Sequence, residues 1–178
     1  MFNFAQQMTF YSAYHQERRN VIIHIFGVPV ITFSFFVVMH WLEVTTVSGF
    51  PITLAVVIYA LTTLYYVSLD SLFGAIAGLL YGSLLYAAYQ VATMGYQVGL
   101  IIFAACQLGG WGAQIFAHAA FEKGKPAFLD NLFQAFVSAP LFVVADVLFM
   151  LGIRKSLAEK IHDALRKQGR LREVNVER

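Results

Sequence analysis

Four long apolar runs, at residues 21–42, 51–69, 72–92 and 98–121, pass along this chain without a single Lys, Arg, Asp or Glu. A helix that crosses a bilayer needs about 20 predominantly apolar residues, so each run predicts a transmembrane helix. The first is interrupted by His24, Gly27 and Pro29. Only Asp70 and Ser71 separate the second from the third, which predicts an antiparallel hairpin with Asp70 as a turn former. A fifth stretch, FQAFVSAPLFVVADVLFMLGI, is split by Ser138, Ala139 and Pro140. Proline has no N–H and disfavours helix at the residue before it, which predicts two short pieces rather than one span. In the closing RKSLAEKIHDALRKQGRLREVNVER, Leu157, Ile161 and Leu165 recur every four residues, the pattern of a basic interfacial helix.

Charge sorts these elements by side. Of the 12 Lys and Arg residues, Arg18 and Arg19 precede the first run, Lys123 and Lys125 follow the fourth, and the remaining eight lie from Arg154 onward. The loops at 43–50 and 93–97 hold none. Basic residues near a membrane collect on its cytoplasmic side. Four spans put the N-terminus and the Lys123 loop on one side, and the tail joins them only if residues 132–152 enter the membrane and return. The expected architecture is therefore an all-α integral membrane protein with about four transmembrane helices, a re-entrant or interfacial helix pair and a basic C-terminal tail at 154–178. It is expected to be one membrane-embedded domain over 1–178, with its charged face and both termini cytoplasmic, in a bacterial inner membrane or the endoplasmic reticulum.

Composition agrees. The chain is 59% hydrophobic and 12% charged, with a mean hydropathy of +0.67, whereas soluble domains carry about 25% charged residues. Lipid is the expected partner of this surface, and no nucleic-acid partner is expected. The single cysteine, Cys106, permits no intrachain disulfide and reads as a packing residue. The opening residues carry no short basic segment with a small-residue cleavage site, so no cleavable signal peptide is expected.

Ionisable groups at membrane depth are costly and need partners, so each one points to function. His15 lies just ahead of the first run, His24 one turn inside it and His118 near the end of the fourth. The topology gathers all three in one leaflet. His40, at the far end of the first run, reads as an interfacial anchor beside Trp41, and His162 as a solvated tail residue. Neutral imidazole is the commonest metal ligand and suits iron, zinc and copper. His15 and His24 are nine residues apart, which at 100° per residue puts them about 180° apart on an unbroken helix. A shared metal therefore requires a break, expected near Arg19 and Asn20 with Asn20 as the following cap.

Along the fourth run, Gln107, Trp111, Gln114, His118 and Glu122 form one polar stripe. Glu122 is either a ligand or the acceptor that orients an imidazole. The bland alternative is that the stripe holds helices together by hydrogen bonds. Asp146, a carboxylate in the last apolar stretch, is either a ligand or a supporting acceptor. Tyr11 and Tyr14 read as interface anchors.

These residues resemble a known family. HQERRNVIIHIFGVP, with His15, Asn20, His24, Gly27 and Pro29, and QIFAHAAFEKGKP, with Gln114, His118, Phe121, Glu122, Lys123 and Pro126, are similar to the fungal 2-hydroxy fatty acid dioxygenases and their bacterial relatives. APLFVVADVLFMLGIRK is similar to the end of those proteins. Ala117 stands where the family pattern has glycine, and Asp146 where it has glutamate. The resemblance implies an iron(II)-dependent membrane enzyme of fatty acid α-oxidation that uses O2 to shorten a 2-hydroxy fatty acid by one carbon. It implies His15, His24 and His118 as catalytic metal ligands, with Glu122 or Asp146 completing or supporting them. Arg18, Arg19, Lys123 or Lys125 would meet the substrate carboxylate. Two other readings compete: a transporter or channel whose intramembrane His and Asp line a path, and a structural helix bundle. A transport path calls for polar groups through the whole thickness, and the far half of these helices offers little beyond His40, Thr45 and Thr46.

Overall fold

A computed structural model describes residues 3–123 and 131–172. Nine residues form a short first helix, α1 (Phe4–Ser12), capped by Asn3, whose Oδ1 accepts from the Ala5 N–H at 2.9 Å. After a break come α2 (Arg18–Met39) and a hairpin of β1 (Glu43–Val47) and β2 (Phe50–Thr53). Three helices follow: α3 (Leu54–Leu69), α4 (Ser71–Thr93) and α5 (Tyr96–Ala117). The last of these runs on into a π-helical turn, His118–Glu122. A second π turn, Gln134–Ser138, leads into α6 (Ala139–Met150), and α7 (Lys155–Lys167) ends the described helices.

The helical membrane architecture is borne out, with differences in detail. Among the described residues, three helices are long and apolar enough to cross a bilayer: Arg18–Met39, Ser71–Thr93 and Tyr96–Glu122. The expected span at 51–69 is shorter, because Pro51, Ile52 and Thr53 pair with β1 and leave α3 only 16 residues. That is about 24 Å of rise against a hydrocarbon core of roughly 30 Å. The expected break at Pro140 is absent. Gln134–Met150 is helical throughout, and Pro140 sits just after the π turn Gln134–Ser138, where the α-helical hydrogen-bond register is already interrupted. The sharp bend lies later, at 112° between Gln134–Met150 and Lys155–Lys167. Gly152 and Arg154 make that turn with positive φ of 79° and 58°, and the Ile153 N–H closes it on the Leu148 carbonyl at 2.8 Å.

The chain packs as two compact units, Phe26–Ala113 and Met1–Ile25 with Gln114–Arg178. In Phe26–Ala113, α3 and α4 form the expected hairpin. Asp70 starts α4 by accepting from the Leu72 and Phe73 N–H groups at 3.1 Å. The two helices meet where Gly74 lies against α3. A Cβ there would come within 2.4 Å of the Val67 nitrogen and 2.5 Å of the Tyr66 carbonyl carbon. Backbone cannot yield as a side-chain tip can, so Gly74→Ala is expected to destabilise the protein by about 1–3 kcal/mol. Gly109→Ala, with open space around its Cβ, should be neutral or slightly stabilising. Thermal unfolding in detergent checks the pair. Gln107 is helix glue, as its stripe allowed: its Nε2 donates to the Ser34 hydroxyl at 2.8 Å and its Oε1 accepts from Trp111 Nε1 at 2.9 Å.

In the other unit, α6 is buried along most of its length, including Leu141, Phe142 and Val143. Phe142 meets Phe4 edge-on at 6.1 Å and Tyr11 at 5.1 Å. The amphipathic α7 does not keep its apolar face for lipid. Ile161 and Leu165 are buried and α7 packs on α1, because α1 offers a protein surface to that face. The Arg170 guanidinium lies over the Phe10 and Tyr14 rings, 5.5 Å from each.

Candidate metal centre

The break that the nine-residue spacing requires is present, a few residues earlier than expected. Helix α1 ends at Ser12, α2 begins at Arg18, and the chain between them turns His15 toward the same point as His24. Asn20 is not a cap but sits inside the first turn of α2, fully buried. The capping task falls to Glu122. Its Oε1 accepts from the Gln16 N–H at 2.7 Å, the Glu17 N–H at 2.9 Å and Asn20 Nδ2 at 3.0 Å. Its Oε2 accepts from Arg172 Nη1 at 2.9 Å. A carboxylate on the N–H groups ahead of a helix is favoured both by those orphan donors and by the helix dipole.

His15, His24 and His118 converge. All three are buried, their ring centroids lie 4.5, 4.8 and 4.9 Å apart, and one nitrogen of each falls within 4.8 Å of the others. Two tautomers follow from hydrogen bonding. His15 Nδ1 lies 2.9 Å from the Tyr11 carbonyl and His24 Nδ1 lies 2.9 Å from the Asn20 carbonyl. A carbonyl only accepts, so both Nδ1 atoms carry the proton and both Nε2 atoms present lone pairs. Burial first, and then the neighbouring His24, hold the His15 pKa well below its ordinary value, which keeps the ring neutral as ligation demands. Tyr11 is buried and stacks on His15 at 3.9 Å, so it fixes the imidazole and is not an interface anchor. His118 starts the π turn, and its Nδ1 is buried with no hydrogen-bond partner among the described residues. Such an orphan is expensive unless a Lewis acid takes its lone pair. The donor set fits a metal that favours imidazole.

The two carboxylates take other places. Both Glu122 oxygens are engaged as above, and among the described residues neither Glu122 nor Asp146 joins the three-histidine cluster. Asp146 stands with His15 on the wall of a cavity of about 590 Å³, with the Tyr11 side chain close by. His162 is exposed but lines the same cavity. Of the basic residues expected near a substrate carboxylate, Arg18, Arg19 and Lys123 are exposed and none lines this cavity. Arg19 instead lies 5.7 Å over the Phe121 ring, and Lys125 is outside the described residues. His40 belongs to the other unit, where its Nε2 donates to the Leu85 carbonyl at 3.2 Å and its Nδ1 accepts from Thr53 at 3.1 Å.

Sequence reasoning missed Gln16 and Arg172. The Arg172 N–H donates to Gln16 Oε1 at 2.8 Å, and Gln16 Nε2 donates to the Arg170 carbonyl at 2.9 Å. No local pattern signals a partnership across more than 150 residues.

Residues 1–151 match the family model described as 2-hydroxy-palmitic acid dioxygenase Mpo1-like. The chain is 35% identical over 170 residues to the 2-hydroxy-palmitic acid dioxygenase MPO1 of Saccharomyces cerevisiae, which covers 93% of this chain and 92% of the yeast protein. No solved structure matches.

Proposed function

Because this chain belongs to the 2-hydroxy-palmitic acid dioxygenase Mpo1-like family, we propose that it is a membrane 2-hydroxy fatty acid dioxygenase whose three buried histidines hold iron(II). The observation that carries the metal assignment is the convergence of three imidazole nitrogens within 4.8 Å, two with their lone pairs set by backbone carbonyls. When bound, iron(II) supplies the redox chemistry for O2 that no side chain here can provide.

The chain's own residues do the rest. Tyr11 and Asn20 orient His15 and His24, and Glu122 holds the turn between α1 and α2 that lets both rings face one point. The cavity that reaches His15 has the size range of small-ligand sites. Its apolar wall, with Phe149, Ile161 and Leu165, suits an acyl chain. Asp146, which shares the cavity wall with His15, would accept a hydrogen bond from the 2-hydroxyl and orient the carbon–carbon bond that breaks. The basic termini and the Lys123 turn lie on the cytoplasmic side, in keeping with the clustering of Lys and Arg, and the whole chain works as one catalytic domain.

Elemental analysis of protein purified in detergent without chelator, followed by anaerobic iron(II) reconstitution and assay on 2-hydroxypalmitate, tests this reading. The expected result is about one iron per chain and a fatty acid one carbon shorter. Zinc at full occupancy without turnover, or no metal after reconstitution, would overturn it.

A further inference from the structure

Every carboxylate needs a counterpart when it leaves water, and of the cations expected for that task the described ones, Arg18, Arg19 and Lys123, do not line the cavity. Among the described residues, Arg172 lines the cavity wall, sharing it with His15 and Asp146. It is held in place at three points. Its N–H is fixed by Gln16, the residue next to His15, and its Nη1 donates to the Glu122 carbonyl at 2.5 Å and to Glu122 Oε2 at 2.9 Å. Among the described residues, its other terminal nitrogen, Nη2, has no hydrogen-bond partner. The side chain is 44% exposed, against 2% for Glu122, so Nη1 is held on a buried carboxylate while part of the guanidinium stays open, on a residue that lines the cavity.

We propose that Arg172 anchors the carboxylate of the fatty acid substrate through Nη2, a reading that rests on the dioxygenase function proposed above. A guanidinium can serve two carboxylates at once because its five N–H donors diverge in a rigid plane. One prong offsets the buried Glu122, and the other takes the incoming anion. Arg172 thereby ties substrate entry to the carboxylate that organises the histidines. Leu171, beside it, lines the cavity with Phe149 and Ile161, so two adjacent residues supply both a polar anchor and part of the acyl wall.

The test compares palmitate, which has the carboxylate but no 2-hydroxyl, with hexadecanol, which has neither. Binding of each to the full-length, iron(II)-loaded protein in detergent is measured by calorimetry under argon, for wild type, Arg172→Gln and Arg172→Lys. Charge-assisted hydrogen bonds lead to an expected loss of about 10- to 100-fold in palmitate affinity for Arg172→Gln. Hexadecanol affinity should stay unchanged, with Arg172→Lys recovering part of the palmitate loss. Metal content measured on the same samples shows whether the centre survives. Equal losses for both ligands, or no loss for palmitate, would overturn the anchor and leave the dioxygenase reading standing. Wild-type protein that holds iron but binds neither amphiphile would instead overturn the assignment of the cavity to the substrate.

Discussion

Protein carrying His24→Ala or His118→Ala is expected to lose its bound metal and its turnover together, while His40→Ala keeps both close to wild type. Substitutions that only touch the groups behind a metal ligand typically cost 10- to 100-fold in metal affinity, so removal of a ligand should cost more than about 100-fold. His24 and His118 are both buried, and each supplies one of three nitrogens that meet within 4.8 Å. No other His, Cys, Asp or Glu joins that group among the described residues, so nothing nearby is placed to substitute. His40 makes two ordinary hydrogen bonds, to Leu85 and Thr53. Its loss should cost about 1 kcal/mol of stability per bond and no metal. Metal-to-protein ratios after gel filtration, measured alongside turnover, decide the matter. Loss of iron from His40→Ala on the scale of His24→Ala would show that the centre lies elsewhere.

The second large effect is expected at Glu122. One oxygen serves three N–H donors and the other an arginine, so alanine there leaves the amide of a fully buried Asn20 without its acceptor. It also removes the negative charge from the N-terminus of α2. Hydrogen bonds to charged groups contribute about 1.5–3 kcal/mol each, and stranding a buried donor costs about as much again. Water reaches Gln16 and Glu17 and the Arg172 side chain is half-exposed, which limits the sum, so a loss of about 2–4 kcal/mol is expected for Glu122→Ala. Metal affinity should fall about 10- to 100-fold as His15 and His24 lose their common brace. Glu122→Gln keeps one acceptor oxygen and should retain metal at saturating iron with a smaller loss of stability. Unfolding in detergent with and without iron, together with iron titrations, separates the roles. If Glu122→Gln fails to hold iron even at saturation while its stability is intact, the carboxylate is a ligand rather than a brace.

The membrane helices were legible because the bilayer imposes a length and a composition that a linear pattern records directly. Every backbone polar group in hydrocarbon must be satisfied within the segment, so uncharged runs of about 20 residues have few other forms to take. Asp70 was legible as a turn former for a local reason, since a short acidic side chain between the end of one helix and the start of the next can accept from the first N–H groups of the second. The need for a break between His15 and His24 was also legible, because helical geometry forbids the alternative. Its position was not, because the carboxylate that caps the start of α2 lies more than 100 residues away. Pro140 misled for a related reason. Proline breaks a regular helix in its interior but is tolerated where the hydrogen-bond register already changes, and the sequence does not show that a π turn ends just before it. The π turn at His118–Glu122 left no mark either, because π and α turns differ by one residue of hydrogen-bond register within the same apolar pattern.

By itself the sequence determined that this is a membrane protein with its basic residues clustered, and that His15, His24 and His118 are its candidate ligands. Periodicity, hydropathy and residue chemistry are local properties that lipid and metal read in much the same way. Only the tertiary structure decided that Glu122 braces the turn, that Tyr11 stacks on His15, that the face of α7 covers α1 rather than lipid, and that Arg172 comes back to the site. Those pairings join residues whose partners are chosen by packing and by the satisfaction of buried charge, and such choices exist only once distant segments are brought together.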